Sequence, residues 1–142
     1  PMAEDTLTAV ERQLSALLPK PQSLPLLGTA ANPEHTITEL RQQALALEGL
    51  LPDTPERAQQ VLHLQHNFGL CAEAVVAQAP MEAREPLSSV IPICRAEIQH
   101  AIRKEHASSS DDVLSRRCRL AMVDEAEAQR LSPLVNNELE QN

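Results

Sequence analysis

A single aromatic side chain, Phe68, serves all 142 residues, and only three glycines accompany it. Sandwiches and barrels of short strands are built from β-branched and aromatic residues joined by Gly-rich turns, and this chain is poor in both. Ala, Leu, Gln and Glu dominate instead, and these are strong helix formers. Eleven prolines then cut the helical stretches short. The expectation is an all-α fold: a small bundle of six to seven short helices, preceded by a Pro-rich linker and one separate N-terminal helix. At this length one compact domain is the default. No apolar run approaches the ~18 residues that a membrane span needs.

Three segments follow from the punctuation. Residues 1–18 hold one amphipathic stretch, Ala3 to Leu18, with Leu7, Val10, Leu14 and Leu17 at helical spacing and Glu4 and Asp5 in the first turn. Residues 19–35 form the linker. Four prolines and a glycine fall between Pro19 and Pro33, and Leu24, Leu26 and Leu27 are available to pin the strand of chain to an apolar surface. Residues 36–142 carry the remaining helices. The pattern Thr36-x-x-Glu39 predicts a capping box opening a helix that stops at Gly49. Thr54 before Pro55 predicts an N-cap and a helix to Asn67, broken at Gly69, with a short helix over Leu70 to Gln78. A helix over Cys94 to His106 precedes the Ser108–Ser110 turn, and Asp111 or Asp112 caps the next helix, running to about Met122. Asp124-x-x-Glu127 opens the last, which Pro133 is expected to kink or break. A chain that opens on Pro1 with Met2 behind it reads as processed or trimmed.

Charge is uneven. The formal net charge is −8, yet residues 95–119 are net +2, between segments of −6 and −4. A helix, a turn and a second helix ending in Arg116, Arg117 and Arg119 could suggest a DNA reader. Those arginines point in different directions around a helix, carboxylates are interleaved, and the surrounding chain is acidic, so no nucleic-acid partner is expected. The better reading assigns Arg103, Arg116, Arg117 and Arg119, with Glu97, Glu105 and Asp112, to ion pairs between adjacent helices, where a guanidinium fork suits a carboxylate. His63, His66, His100 and His106 show no metal-ligand spacing. Cys71, Cys94 and Cys118 lie on or beside apolar helical faces and read as inert thiols. There is no Gly-rich phosphate loop and no nucleophile motif. No catalytic, cofactor-binding or metal residue is therefore assigned to this chain.

The run from Glu97 to Ala121, E-I-Q-H-A-I-R-K-E-H-A-S-S-S-D-D-V-L-S-R-R-C-R-L-A, resembles the C-terminal helical domain of FAD-dependent glycerol-3-phosphate dehydrogenases. That family typically reads E-V-x-Y-A-I-R-x-E-x-A-x-T-x-x-D-x-L-x-R-R-T-R-L-A-F, and the glutamates, Arg103, Asp112, Leu114 and the R-R-x-R-L-A run fall in register. Leu64 to Gly69 resembles the family's L-x-x-x-Y/F-G segment. Met2 to Thr6 resembles its M-A-E-D helix at the edge of the FAD domain, and Leu24 to Gly28 resembles its L-P-L-x-G interdomain linker. The likeness covers essentially the whole chain, in the family's order. His100, His106, Met122 and Cys118 stand where the family usually has Tyr, Phe or Thr.

This resemblance implies that FAD, the substrate pocket and the membrane-facing surface belong to a longer portion that precedes this segment. It leaves two readings open. In one, the chain completes a quinone-linked dehydrogenase by docking on a flavin-binding chain through Leu7, Val10, Leu14 and Leu17. In the other, a detached domain serves as a structural accessory subunit of a mitochondrial membrane complex. A protein partner is expected in both. The implied location is the mitochondrial inner membrane, or the periphery of a bacterial cytoplasmic membrane.

Overall fold

A computed structural model describes residues 2–19, 24 and 26–141. Seven α-helices follow one another: α1 (Met2–Leu14), α2 (Thr36–Leu50), α3 (Arg57–Phe68), α4 (Ala72–Val76), α5 (Arg95–Glu105), α6 (Leu120–Val123) and α7 (Glu125–Glu140). Among the described residues there is no strand, only one isolated antiparallel bridge between Pro86 and Cys94. The fold is all-α.

Two apolar clusters make the core, and α5 lies between them. Leu47 of α2, Val61 and Leu64 of α3 and Ala72, Val75 and Val76 of α4 form one, closed by Cys94 and Ala96. Ile98 and Ala101 of α5 turn to the other, with Leu120 of α6 and Ala128, Leu131 and Val135 of α7. No described side chain of α1 belongs to either cluster.

Several boundaries differ from the sequence expectation, each for a local reason. The first helix ends at Leu14, because Ser15 turns left-handed at φ 50 and the Glu11 carboxylate accepts from the Leu18 N–H at 3.0 Å. Leu17 thus lies beyond the helix and off its stripe. No capping box forms at Thr36. Asn32 accepts from Glu34 N–H at 3.1 Å to start a 3-10 turn at Pro33, and Thr36 Oγ1 accepts from Ala30 N–H instead. Thr54 is not an N-cap either: Pro55 and Glu56 form a turn closed by Arg57 N–H to Thr54 O at 3.2 Å, and α3 starts at Arg57. Gly49 stays inside α2. The expected helix over Leu70–Gln78 is a 3-10 turn, Gly69–Cys71, leading into the five-residue α4. The expected single helix to Met122 is split into a π-helical segment over Asp112–Arg117 and α6, with Arg119 left-handed between them at φ 61. Finally, α7 runs unbroken through Pro133, whose ring forgoes only one backbone bond.

Between α1 and α2, the described chain is fastened to the bundle at Gly28. Gly28 (φ 81) and Gly69 (φ 55) press backbone to backbone, and Leu70 N–H donates to Gly28 O at 2.9 Å. A Cβ on Gly69 would stand 2.3 Å from Gly28 O, and one on Gly28 would stand 2.6 Å from Phe68 O. Gly69, at φ 55 and ψ −134, also sits near backbone space that only glycine occupies readily. Residues 20–23 and 25 of the linker lie outside the described residues.

Two glycine substitutions should therefore move stability in opposite directions. Gly69→Ala should cost about 2 kcal/mol or more, from backbone strain and loss of the clasp. Gly49→Ala, with nothing within 4 Å of the new methyl, should gain about 0.5–1 kcal/mol. Urea unfolding of both variants checks the pair, and equal effects would contradict the clasp.

Candidate functional site

Of the charged residues singled out by the sequence, Glu105, Asp112, Arg116 and Arg117 come together where α5 meets the π-helical segment, and Glu97 sits at the other end of α5. Glu97 is the deepest, only 4% exposed. Its Oε1 accepts from Cys94 N–H at 3.0 Å, so Glu97 caps the start of α5, and its Oε2 lies 2.7 Å from His63 Nε2 on α3. A carboxylate only accepts, so His63 Nε2 carries the proton of that bond. The sequence reading gave Glu97 an arginine partner; it meets a histidine. The reason is register: Glu97 lies in the first turn of α5 facing α3, whereas Arg103 sits on the last turn of α5 and Arg116, Arg117 and Arg119 follow beyond it.

That far end is where Arg117 works. Its Nε donates to Glu105 Oε2 at 2.8 Å, Nη2 donates to Glu105 O at 2.6 Å, and Nη1 donates to Asp112 O at 3.0 Å. One guanidinium thus joins the last turn of α5 to the start of the next segment. It meets carbonyls exposed by a loosened helix end, where His106 is left-handed and the Ala101 carbonyl accepts from both His106 and Ala107 N–H.

Asp112 holds the connecting turn. It accepts from Ser108 N–H at 3.0 Å and from Ser109 N–H at 3.1 Å, and Arg116 reaches it from one turn on. The Ser108 backbone bond, then the Ser109 hydroxyl and Arg116, hold its carboxyl well below the usual range. Among the described residues Arg116 pairs with Asp111 and Asp112, beside it in the chain, so it does not bridge two helices as expected. Arg119 makes no ion pair among the described residues, because its left-handed turn swings it out of register with Arg116 and Arg117. Arg103 lies exposed on the last turn of α5.

Asn67, Phe68, Ile93, Glu97, Arg117 and Cys118 are among the residues lining a cavity of about 180 Å³ beside this cluster. Its polar groups are already engaged: Glu97 by His63 and Cys94, and Arg117 by α5. Burial pushes the Cys118 thiol up to about 11, and burial pushes Cys94 above the ordinary thiol range, so neither supplies a thiolate at neutral pH. Among the described residues no three His, Cys, Asp or Glu side chains converge as metal ligands would. The cluster as built is a joint between helices.

Other charged anchors escaped the sequence reading. Glu138 is 4% exposed on α7, its carboxylate reached by Gln99 Nε2 at 3.0 Å and Arg95 Nε at 3.2 Å. The signal was present, since Glu138 continues the buried stripe of Leu131 and Val135. Arg84 donates to Ala79 O and Leu50 O, both at 2.8 Å, tying the ends of α4 and α2. Nothing in its sequence neighbourhood marks it. Of the positions where the family usually has an aromatic residue, His106 and Met122 are exposed, while His100 stacks edge-on against Phe68 at 5.3 Å. The apolar side chains expected to dock a partner remain open on α1: Leu7 is 37% and Leu14 63% exposed.

Arg117→Ala should lower stability by about 1–3 kcal/mol, since it strips charged bonds from two segments at once. An unchanged melting temperature would show that the joint is not held there. Acid should act on the same class of contact. Arg130 lowers the Glu127 carboxyl from 4.5 to about 2, so Glu127 stabilises the fold fully above about pH 4.5 and loses that contribution as pH falls towards 2. Glu127→Gln should flatten the pH dependence of the melting temperature across that window.

Comparison with known proteins comes down on the same side as the quoted motifs. Residues 20–142 match the family described as the C-terminal domain of alpha-glycerophosphate oxidase. The mitochondrial glycerol-3-phosphate dehydrogenase SDP6 of Arabidopsis thaliana is 30% identical over 141 residues, covering 91% of this chain and 22% of the plant protein. Glycerol-3-phosphate dehydrogenase 1 of Mycobacterium bovis is 33% identical over 125 residues, covering 86% of this chain and 21% of its own. A probable mitochondrial glycerol-3-phosphate dehydrogenase of Dictyostelium discoideum is 29% identical over 140 residues, 96% of this chain and 20% of its own. No solved structure matches the chain. It spans about a fifth of the length of these curated relatives. With the family matched over all but its first 19 residues, the chain belongs to the C-terminal domain family of alpha-glycerophosphate oxidase and glycerol-3-phosphate dehydrogenase.

Proposed function

We propose that this chain is the helical C-terminal portion of an FAD-dependent, quinone-linked glycerol-3-phosphate dehydrogenase, without turnover of its own, and that it completes the fold of a flavin-binding portion. The observation that carries this reading is α1. It is amphipathic, its described side chains join neither core cluster, and it leaves Leu7 and Leu14 uncovered two turns apart on one face, with Val10 between them. Thirteen residues form a marginal helix in water, and tertiary packing of its apolar face is what holds such a helix. The flavin-binding portion is the surface it fits.

The residues of this chain do not themselves fit a flavin. A dinucleotide pyrophosphate needs a glycine turn that leads from a strand into a helix. Here Gly28 and Gly69 are pressed against each other, and Gly49 lies within α2. No step of the oxidation is therefore routed through this chain. Its part is to hold α1 at the end of the clasped linker. The plant and Dictyostelium relatives are mitochondrial by name and the mycobacterial one is bacterial, which supports a place at the inner mitochondrial or the bacterial membrane. No helix among the described residues is long and apolar enough to cross a membrane.

Co-expression with a flavin-binding portion from the same source tests the reading. The expected result is a one-to-one complex that carries flavin absorbance and oxidises glycerol 3-phosphate. Leu7→Asp with Leu14→Asp should weaken that complex at least tenfold, because two leucines lose their burial. A colourless complex with unrelated membrane subunits would instead establish the accessory-subunit role.

A further inference from the structure

One long stretch of this acidic chain carries no carboxylate. From Arg12 to Pro33 there is neither Asp nor Glu, and Arg12 and Lys20 are the only charged side chains, in a chain of net charge −8. Six leucines fall in the same window. Charged residues are depleted at the centre of surfaces that become covered, because each would lose its water. Two of these leucines stand almost wholly in solvent, Leu26 at 77% and Leu27 at 96% exposed.

The backbone that carries them is firmly held. Leu26 O accepts from Thr29 N–H at 3.3 Å and from Thr29 Oγ1 at 2.8 Å, closing a reverse turn with Gly28 at its third position. Gly28, at φ 81, supplies the positive φ that type II turns need there. Behind the turn, Gly28 O accepts from Leu70 N–H at 2.9 Å. Ala30 is buried and donates its N–H to Thr36 Oγ1 at 3.3 Å. These bonds and the glycine clasp order a turn whose two leucines belong to neither core cluster. Ordering backbone costs conformational entropy, and within the bundle polar residues at 26 and 27 would serve as well. The leucines face outward.

We propose that the Leu26–Leu27 turn is a second docking point for the flavin-binding portion, covered together with the apolar side of α1. This rests on the reading of α1 given above. The family match begins at residue 20, so it takes in the turn and leaves out α1, while similarity to the Dictyostelium relative extends over 96% of the chain. The turn and α1 therefore stand on either side of the boundary between the C-terminal domain and the remaining four-fifths of the relative, which covers about a fifth of its length here. Twelve residues of chain lead from Leu14 to Leu26, at most about 40 Å when extended, so one partner surface can take both. Two anchors fix the orientation of the bundle, which a single helix would leave free to swing. A lipid surface fits less well. Interfacial segments carry Trp or Phe on an amphipathic helix, and here no aromatic lies between residues 12 and 33 and the leucines sit on a turn.

The test is titration of a flavin-binding portion from the same source with the full chain, with its Leu7→Asp, Leu14→Asp variant and with a Leu26→Ser, Leu27→Ser variant. The turn variant should keep the melting temperature, since both side chains are already exposed, and should weaken the complex at least tenfold. Leu27→Met should bind as the unaltered chain does, and amide exchange at residues 26–29 should slow in the complex. A complex weakened by the α1 variant but not by the turn variant would overturn this inference and leave the α1 reading standing. Absence of any complex with the unaltered chain would overturn both. A turn variant that loses binding to vesicles of anionic lipid while keeping the complex would make the turn a membrane contact instead.

Discussion

The bond between Glu97 and His63 is the constraint around which the bundle is arranged. Isolated burial of a carboxylate is costly, and the group is tolerated only where its oxygens are satisfied. Glu97 meets that condition with one oxygen on the backbone of its own helix start and the other on α3. The first bond fixes where α5 begins, and the second fixes which side of it faces α3. Once these are set, Ala96 turns to one apolar cluster and Ile98 and Ala101 to the other. A leucine at position 97 would fill the space but would leave Cys94 N–H without an acceptor and allow α5 to rotate. The polar pair specifies one orientation where apolar contact would permit several.

The remaining joints repeat the same device at the ends of elements. Arg117 gathers the loosened end of α5, Arg84 the ends of α2 and α4, and Asp112 the turn between α5 and the π-helical segment. Each works at a place where helix geometry leaves carbonyls or N–H groups without intrahelical partners. This is why a chain with one aromatic residue and a core of Ala, Val, Leu and Ile can hold short helices in fixed relation. Apolar burial supplies the drive, and the charged side chains supply the angles. The glycine clasp adds a third kind of joint, in which the absence of a side chain lets two backbones touch.

Composition and periodicity were enough to read the class of fold, the existence of most helices and the run of charged residues at 95–119. The boundaries were not legible, because the deciding partners were distant or of an unexpected type. Thr36 had the sequence of a capping box, yet the backbone N–H that reached its hydroxyl belonged to Ala30, ahead of the 3-10 turn that Asn32 caps. The split at Arg119 follows from a left-handed residue that carries no glycine or asparagine to announce it. Pro133 was expected to disturb α7, but packing of Leu131 and Val135 on either side of it outweighs one missing backbone bond. Among the charged residues, the sequence set the arginines against Glu97, Glu105 and Asp112 only as a group, and the pairing of Arg117 with Glu105 came from the structure. His63 could not be matched to Glu97, since 34 positions separate them and nothing local links the two.

Charge placement also separates what this chain does for itself from what it offers outward. Its buried charges, Glu97 and Glu138, are both matched by partners from another helix or from the facing side of α5. A group so engaged cannot bind or react without dismantling the joint that it holds. Chemistry directed at other molecules must therefore come from surfaces where the side chains are not part of a joint. On the reading proposed above, the apolar side of α1 is such a surface: Leu7 and Leu14 are uncovered and hold no part of either core cluster, so covering them with a partner would dismantle no joint of the bundle.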